Sequence, residues 1–274
     1  MSAIPEIKLK DGQKIPQFGL GVWQTPADET EKVVSTAFEL GYRHIDTAAI
    51  YGNEEGVGRA IANAGISRDE LFITTKLWND EQGFDSTLRA FDESLSKLGL
   101  DYVNLYLIHW PQPAKDKYLD TWKAFERLKE EGRIRSIGVS NFRIEDLDRL
   151  AQEADQQPVI NQIELHPLLQ QQALRDYHHQ HGIVTEAWSP LAQGGELLGN
   201  KTLADIGEAH GKTAAQVILR WHIQLGNVVF PKSVTPSRIK ENADIFDFEL
   251  SSAEMSAIQT LDAGTRRGPD PSTM

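Results

Sequence analysis

Residues 44–64 read HIDTAAIYGNEEGVGRAIANA, and this stretch decides the fold. His44–Ala48 is a short apolar run ending in polar residues, which predicts a strand. The chain then turns polar through Tyr51, Gly52 and Asn53. It continues as a longer amphipathic segment, Glu54–Ala64, which predicts a helix. Strand, polar turn and helix in succession make one βα unit.

The same unit recurs along the chain. Further strands are predicted at Phe18–Trp23, Leu71–Leu77, Val103–His109, Ile134–Ser140, Val159–Leu165, Ile183–Trp188 and Val228–Lys232. Helices are predicted at Ala27–Leu40, Ser86–Leu98, Leu119–Glu130, Ile144–Glu153, Gln172–His181, Thr213–Leu225 and Pro236–Ala243, with a last one at Ser252–Leu261. Strand–helix alternation at roughly 30-residue spacing implies parallel βαβ units. Eight units in about 250 residues fit a (β/α)8 barrel, an α/β TIM-barrel fold. An open doubly wound sheet competes, but it typically has six strands and a Gly-rich first turn. No linker or low-complexity tract breaks the pattern, so residues 1–274 read as one domain. Ahead of the barrel, Ile7–Lys10, Asp11-Gly12 and the run from Lys14 predict a β-hairpin. The closing stretch, Ala263–Met274, is Gly/Pro-rich and polar, a tail folded over one face.

Composition excludes several functions. The 274 residues carry 28 basic and 40 acidic side chains, a formal net charge of −12. Such a surface repels phosphate backbones, which argues against nucleic acid. A phosphorylated cofactor would need a local basic pocket. There is no Cys, so disulfides, thiolate metal sites and a cysteine nucleophile are ruled out. No apolar run approaches the ~20 residues of a membrane helix. The opening residues Met1–Glu6 show no basic run followed by an apolar stretch, and the expected location is the cytoplasm.

Some motifs are near misses. Gly207 to Thr213 has three residues between its glycines, where a phosphate loop needs four. Gly52 to Gly58 lacks the Gly-x-Gly-x-x-Gly spacing of a Rossmann turn. Gly-x-Ser-x-Gly is absent. His178, His179 and His181 lack a carboxylate or Cys partner at metal-ligand spacing and read as a solvated helix end, with no metal expected.

In a barrel, working residues sit at the C-terminal ends of the strands. There the second strand delivers Asp46, with Tyr51 in the loop beyond it. The third ends in Lys76, the fourth in His109-Trp110, the fifth in Ser140-Asn141. The sixth carries Gln162, the seventh ends Trp188-Ser189 and the eighth Lys232-Ser233. An acid, a phenol, an ammonium and an imidazole thus converge on one rim. Lys76 beside the phenol would lower its pKa, and Asp46 would keep Lys76 charged. Tyr51 could then give a proton to an oxygen that His109 also hydrogen-bonds. That suits a carbonyl becoming an alcohol. No side chain supplies a hydride, so a cofactor must. Ser140, Asn141 and Gln162 offer the donors and acceptors a nicotinamide carboxamide needs. Trp188 is either core or a flat face for stacking a ring. Lys232 to Lys240 is the one basic stretch, at a strand end and helix start, where Lys232 and Arg238 could select NADP over NAD through its 2′-phosphate.

These residues resemble the aldo-keto reductase family. The resemblance runs from Gly19–Trp23 to the tail. It rests on Gly41–Glu54, Ser136–Phe142, Asn161–Pro167, and Pro231-Lys232-Ser233 with Arg238, Glu241 and Asn242. It implies a (β/α)8 barrel binding NADP(H) in extended form, with Asp46, Tyr51, Lys76 and His109 as a catalytic tetrad and Tyr51 as the acid. It further implies Ser140, Asn141 and Gln162 at the carboxamide, Trp188 on the nicotinamide, and Ser189 and Leu191 near the pyrophosphate. Lys232, Ser233, Val234, Arg238, Glu241 and Asn242 would take the 2′-phosphate and adenine. Trp23, Trp78 and Trp110, with His109 and Tyr51, would line the substrate pocket.

Within the family, Thr75–Asp80 and Arg267–Pro271 resemble the bacterial 2,5-diketo-D-gluconate reductases, whose relatives reduce methylglyoxal and β-keto esters. The loops at Gln112–Lys117 and Ala192–Lys201 are short, which suggests an open, permissive site. The resemblance implies a monomer acting on small-molecule carbonyls. Other readings stay open: a broad-specificity aldehyde-detoxifying reductase, a cofactor-binding redox sensor with little turnover, and a barrel lyase using Lys76 as a Schiff-base amine.

Overall fold

The structure is a computed structural model that describes residues 4–274. A hairpin comes first, β1 (Glu6–Lys8) antiparallel to β2 (Lys14–Pro16). Eight parallel strands follow: β3 (Leu20–Gly21), β4 (His44–Asp46), β5 (Phe72–Leu77), β6 (Val103–Ile108), β7 (Ile134–Ser140), β8 (Ile160–Glu164), β9 (Val184–Trp188) and β10 (Val228–Val229). Each strand pairs with its neighbours in sequence. The two edge strands also meet, through parallel bridges from Phe18 to Val229 and from Gly21 to Lys232. The sheet therefore closes into a barrel.

Ten α-helices accompany the strands among the described residues: α1 (Ala27–Glu39), α2 (Glu54–Asn63), α3 (Phe84–Leu98), α4 (Tyr118–Glu130), α5 (Ile144–Glu153), α6 (Gln172–His181), α7 (Lys201–His210), α8 (Ala214–Gln224), α9 (Pro236–Asn242) and α10 (Ser252–Gln259). All eight predicted strands and nine predicted helices are present; β7, α5 and α6 keep their predicted ends and the others shift. The two seam strands are shorter than expected because isolated bridges, rather than a continuous ladder, join them. Gly21 makes that seam possible. A Cβ there would lie 2.7 Å from the Phe230 carbonyl oxygen.

The sequence reading gave no range for α7. Its ends are nonetheless written in the chain. The Asn200 side chain accepts N–H bonds from Thr202 and Leu203, and Gly211 ends the helix at φ +65°. A second correction concerns α6. His178 is not solvated but buried, bonded to Asn161 at 3.0 Å and to Thr185 at 2.9 Å. Helical phase turns His179 to the exposed side, and His181, though on the face of His178, is the last residue of the helix and is exposed there.

The hairpin plugs one end of the barrel. Leu9 and Ile15 pack with Phe72, Leu105, Val159, Val228 and Phe230. Asp11 accepts from Ser136, at the start of β7, at 2.8 Å, and pairs with Lys129 at 3.3 Å. Burying each such aliphatic side chain contributes about 1.5–3 kcal/mol. The opposite end, where the strands finish, is left to the loops. Among the described residues no helix is long and apolar enough to cross a membrane.

Candidate active site

Asp46 ends β4, and Lys76 stands near the end of the neighbouring β5. Thr74 pairs with Asp46 in register, so Lys76 projects one pleat beyond it. Lys76 is fully buried. Its ammonium lies 2.6 Å from Asp46 Oδ1, 2.8 Å from the Thr47 carbonyl oxygen and 3.4 Å from the Tyr51 hydroxyl. An ammonium has three N–H donors, and each has an acceptor. Tyr51 comes from a single 3-10 turn, Ala49–Tyr51, which Gly52 ends at φ +66°. Asn53 fixes this loop: it donates to the Val22 carbonyl at 2.9 Å and accepts from Thr47 Oγ1 at 2.8 Å. His109 follows β6, its ring 5.9 Å from that of Tyr51 and 5.3 Å from that of Trp78. The four predicted tetrad residues therefore converge.

Burial sets the charges. For Lys76 it works to lower the pKa, but Asp46, Tyr51 and Glu186 together outweigh it and hold the group above its ordinary value. Lys76 is an ammonium, which disfavours the Schiff-base reading. Burial pushes the Asp46 carboxyl up, opposed by Lys76 and Gln162. Burial also raises the Tyr51 pKa, with Lys76 opposing. The sequence reading expected a lowered value; desolvation of the ring outweighs the ammonium. Burial, then Lys76, pushes His109 well below its ordinary value, leaving a neutral imidazole.

A second group joins the first through hydrogen bonds. Gln162 Nε2 donates to Asp46 Oδ2 at 2.8 Å. Ser140 Oγ donates to the Gln162 carbonyl at 2.9 Å. Asn141, in left-handed backbone at φ +63°, donates to the His109 carbonyl at 3.0 Å and to Ser140 Oγ at 3.1 Å. Its Oδ1 accepts from Trp188 Nε1 at 2.8 Å. The Trp188 ring is thus tied at one edge, half-buried, with Trp110 at 6.4 Å. Ser140, Asn141, Gln162 and Trp188 form one connected set with the tetrad.

The remaining predicted residues lie outside this network. Trp23 is 43% exposed, Trp78 half-buried and Trp110 buried. Ser189 and Leu191 sit in a loop that turns through left-handed backbone at Ser189, Ala192 and Gln193. The Lys232 backbone bridges Gly21, which itself pairs with Asp46, so the basic stretch starts level with the tetrad. Lys232, Val234, Arg238 and Glu241 are exposed, Ser233 and Asn242 buried.

Sequence reasoning missed two buried acids. Glu186, in β9, shares its strand face with Trp188. Glu164 ends β8 and pins the tail: it accepts from the Arg267 and Gly268 backbone N–H groups at 2.5 and 3.1 Å and contacts His166 at 3.0 Å. Gly268 then lies so close to Trp188 that a Cβ would be 2.4 Å from the ring. The available signal was the two-residue strand period, counted back from Trp188 and forward from Gln162.

Comparisons with known proteins place the chain in a family. A model of the aldo/keto reductase family matches residues 16–263. An aldo-keto reductase of Mycolicibacterium smegmatis is 60% identical over 269 residues, 98% of each chain. The methylglyoxal reductase DkgA of Yersinia pestis is 55% identical over 272 residues, 99% of this chain and 98% of that protein. The crystal structure of a point mutant of Gox0644 in complex with NADPH superposes with a TM-score of 0.96 at 51% identity, covering 100% of this chain and 99% of that one.

Proposed function

The chain belongs to the aldo/keto reductase family, and on that premise we propose that it reduces small aldehydes and ketones to alcohols with NADPH. The observation that carries this reading is the Lys76 ammonium, held by Asp46 and facing the Tyr51 hydroxyl, with a neutral imidazole beside the same ring.

The residues fit the cofactor. In a chain of net charge −12, Lys232, Arg238 and Lys240 gather in one exposed segment, which suits a 2′-phosphate. Glu241, Asn242, Ser233 and Val234 would meet the adenosine end, and Ser189 and Leu191 the pyrophosphate. Ser140, Asn141 and Gln162 would hold the carboxamide, beside the fixed Trp188 ring. NADPH, when bound, supplies the hydride. The NADPH in the Gox0644 mutant structure supports this choice.

Tyr51 and His109 hydrogen-bond the carbonyl oxygen and polarise it. As negative charge develops there, Tyr51 delivers its proton, since an alkoxide is far more basic than a phenolate. Lys76 stabilises the phenolate left behind, and Asp46 keeps Lys76 charged and aimed. Trp23, Trp78 and Trp110 wall the pocket.

Methylglyoxal is the first substrate to try, because a 55% identical relative carries that name. 2,5-Diketo-D-gluconate and β-keto esters follow. The same reading has a single copy of the chain as the working unit, in the cytoplasm, without nucleic acid or membrane. The test is loss of NADPH absorbance with a panel of such carbonyls. No turnover on any of them would overturn the proposal and favour a sensor.

A further inference from the structure

Glu186 is fully buried, and none of the steps above uses it. It stands in β9 beside Gln162 of β8, which in turn stands beside Ser140 of β7, one row across three strands. Gln162 Nε2 donates to Glu186 Oε2 at 3.0 Å and to Asp46 Oδ2 at 2.8 Å. Both hydrogens of that nitrogen are therefore committed. Glu186 Oε1 has no partner among the described residues.

The orientation follows from chemistry. Asp46 is ion-paired to Lys76 and can only accept, so the amide must turn its nitrogen toward it. Asp46 alone would leave the amide plane free to turn about one N–H bond. The second acceptor, Glu186, fixes the plane and so the direction of the carbonyl oxygen. Gln162 Oε1 accepts no hydrogen bond among the described residues, which leaves it free for a ligand.

The groups facing Glu186 are Asp46 from β4, Lys76 from β5 and Gln162 from β8; its register partner in β10 is the apolar Val228. Burial, and then Asp46, push the Glu186 carboxyl up to about 8. Near neutral pH it is an uncharged acid, and Oε2 accepts the Gln162 N–H. Removing it therefore takes away a hydrogen-bond acceptor rather than a charge.

We propose that Glu186 is a positioning residue: with Asp46 it locks the Gln162 amide so that its carbonyl oxygen is presented to the carboxamide N–H of the bound nicotinamide. This rests on the reading that Gln162 meets the carboxamide.

The test is calorimetric binding of NADPH and of its 3-acetylpyridine analogue, in which a methyl replaces the carboxamide nitrogen. Glu186→Leu is expected to weaken NADPH about fivefold, the worth of one neutral hydrogen bond. The analogue should change less than about twofold, because it has no N–H to lose. Glu186→Gln keeps an acceptor in place and should restore NADPH binding. Equal weakening of both ligands, or none, overturns the proposal. Should Leu not be accepted by the barrel, Glu186→Ala carries the same comparison. Gln162→Leu separates the two ideas: if it too fails to discriminate the ligands, the carboxamide reading itself is wrong.

Discussion

The Lys76 ammonium and the Tyr51 hydroxyl lie 3.4 Å apart, at the end of the barrel away from the hairpin. The pair combines a proton donor with a fixed cation that stabilises the donor once the proton has gone. Tyr51→Phe keeps the ring and removes the proton. We expect kcat to fall by more than about a hundredfold, over ~2.7 kcal/mol of barrier, with NADPH affinity nearly unchanged. Steady-state kinetics with a binding titration decide it. A variant keeping above about a tenth of wild-type kcat removes Tyr51 as the acid.

Arg238 is exposed in the one basic segment of an acidic chain. Arg238→Ala should raise the Kd for NADPH about tenfold or more, roughly the worth of a charge-assisted contact, and leave NADH within about twofold. Equal losses for the two dinucleotides would dismiss the 2′-phosphate role.

Two single substitutions should tilt stability with pH in opposite senses. Burial pushes His178 down to about 3, so in acid the unfolded chain binds a proton that the folded one refuses. Its stabilising share is whole above about pH 6.5 and drains away as pH falls toward 3. Glu186, pushed up to about 8, holds a proton that the unfolded chain has already lost. Its share is whole below about pH 4.5 and drains away as pH rises to 8. Relative to wild type, His178→Gln should gain stability on acidification and Glu186→Gln on alkalinisation. Urea midpoints across that range measure both, and parallel curves would contradict the two assignments.

Glu164 anchors the tail through two backbone N–H groups. Glu164→Ala leaves them without that acceptor. Trypsin should then cut after Arg266 and Arg267 several times faster, while the barrel core resists. An unchanged cleavage rate would mean that other contacts to the barrel, such as the Thr265 N–H to the Leu168 carbonyl, hold the segment.

The sequence declared its inner strands clearly. β5 to β9 are short runs rich in apolar and β-branched residues with a polar residue at or beside the C-terminal end, and buried parallel strands need little else. The seam was harder to read because β3 and β10 are held by closure, a long-range event with no local signature. The tetrad was legible because each member sits at a strand end or in the loop just after it. Glu186 and Glu164 were not. A strand's two-residue period sets Glu186 on the face of Trp188 and Glu164 on that of Gln162, but says nothing of the partners, Gln162 and the tail backbone, that hold the two acids. Reading His178 as solvated failed for the same reason: its polar partners, Asn161 and Thr185, come from other elements.

With Gly268 against Trp188 and Pro271 buried, the last residues run beside the barrel mouth. A reporter domain or immobilising handle attached after Met274 would start on the doorstep of the pocket and crowd incoming carbonyls. Attached ahead of Glu6, it emerges at the plugged pole, where tethering to a bead or electrode leaves the mouth clear.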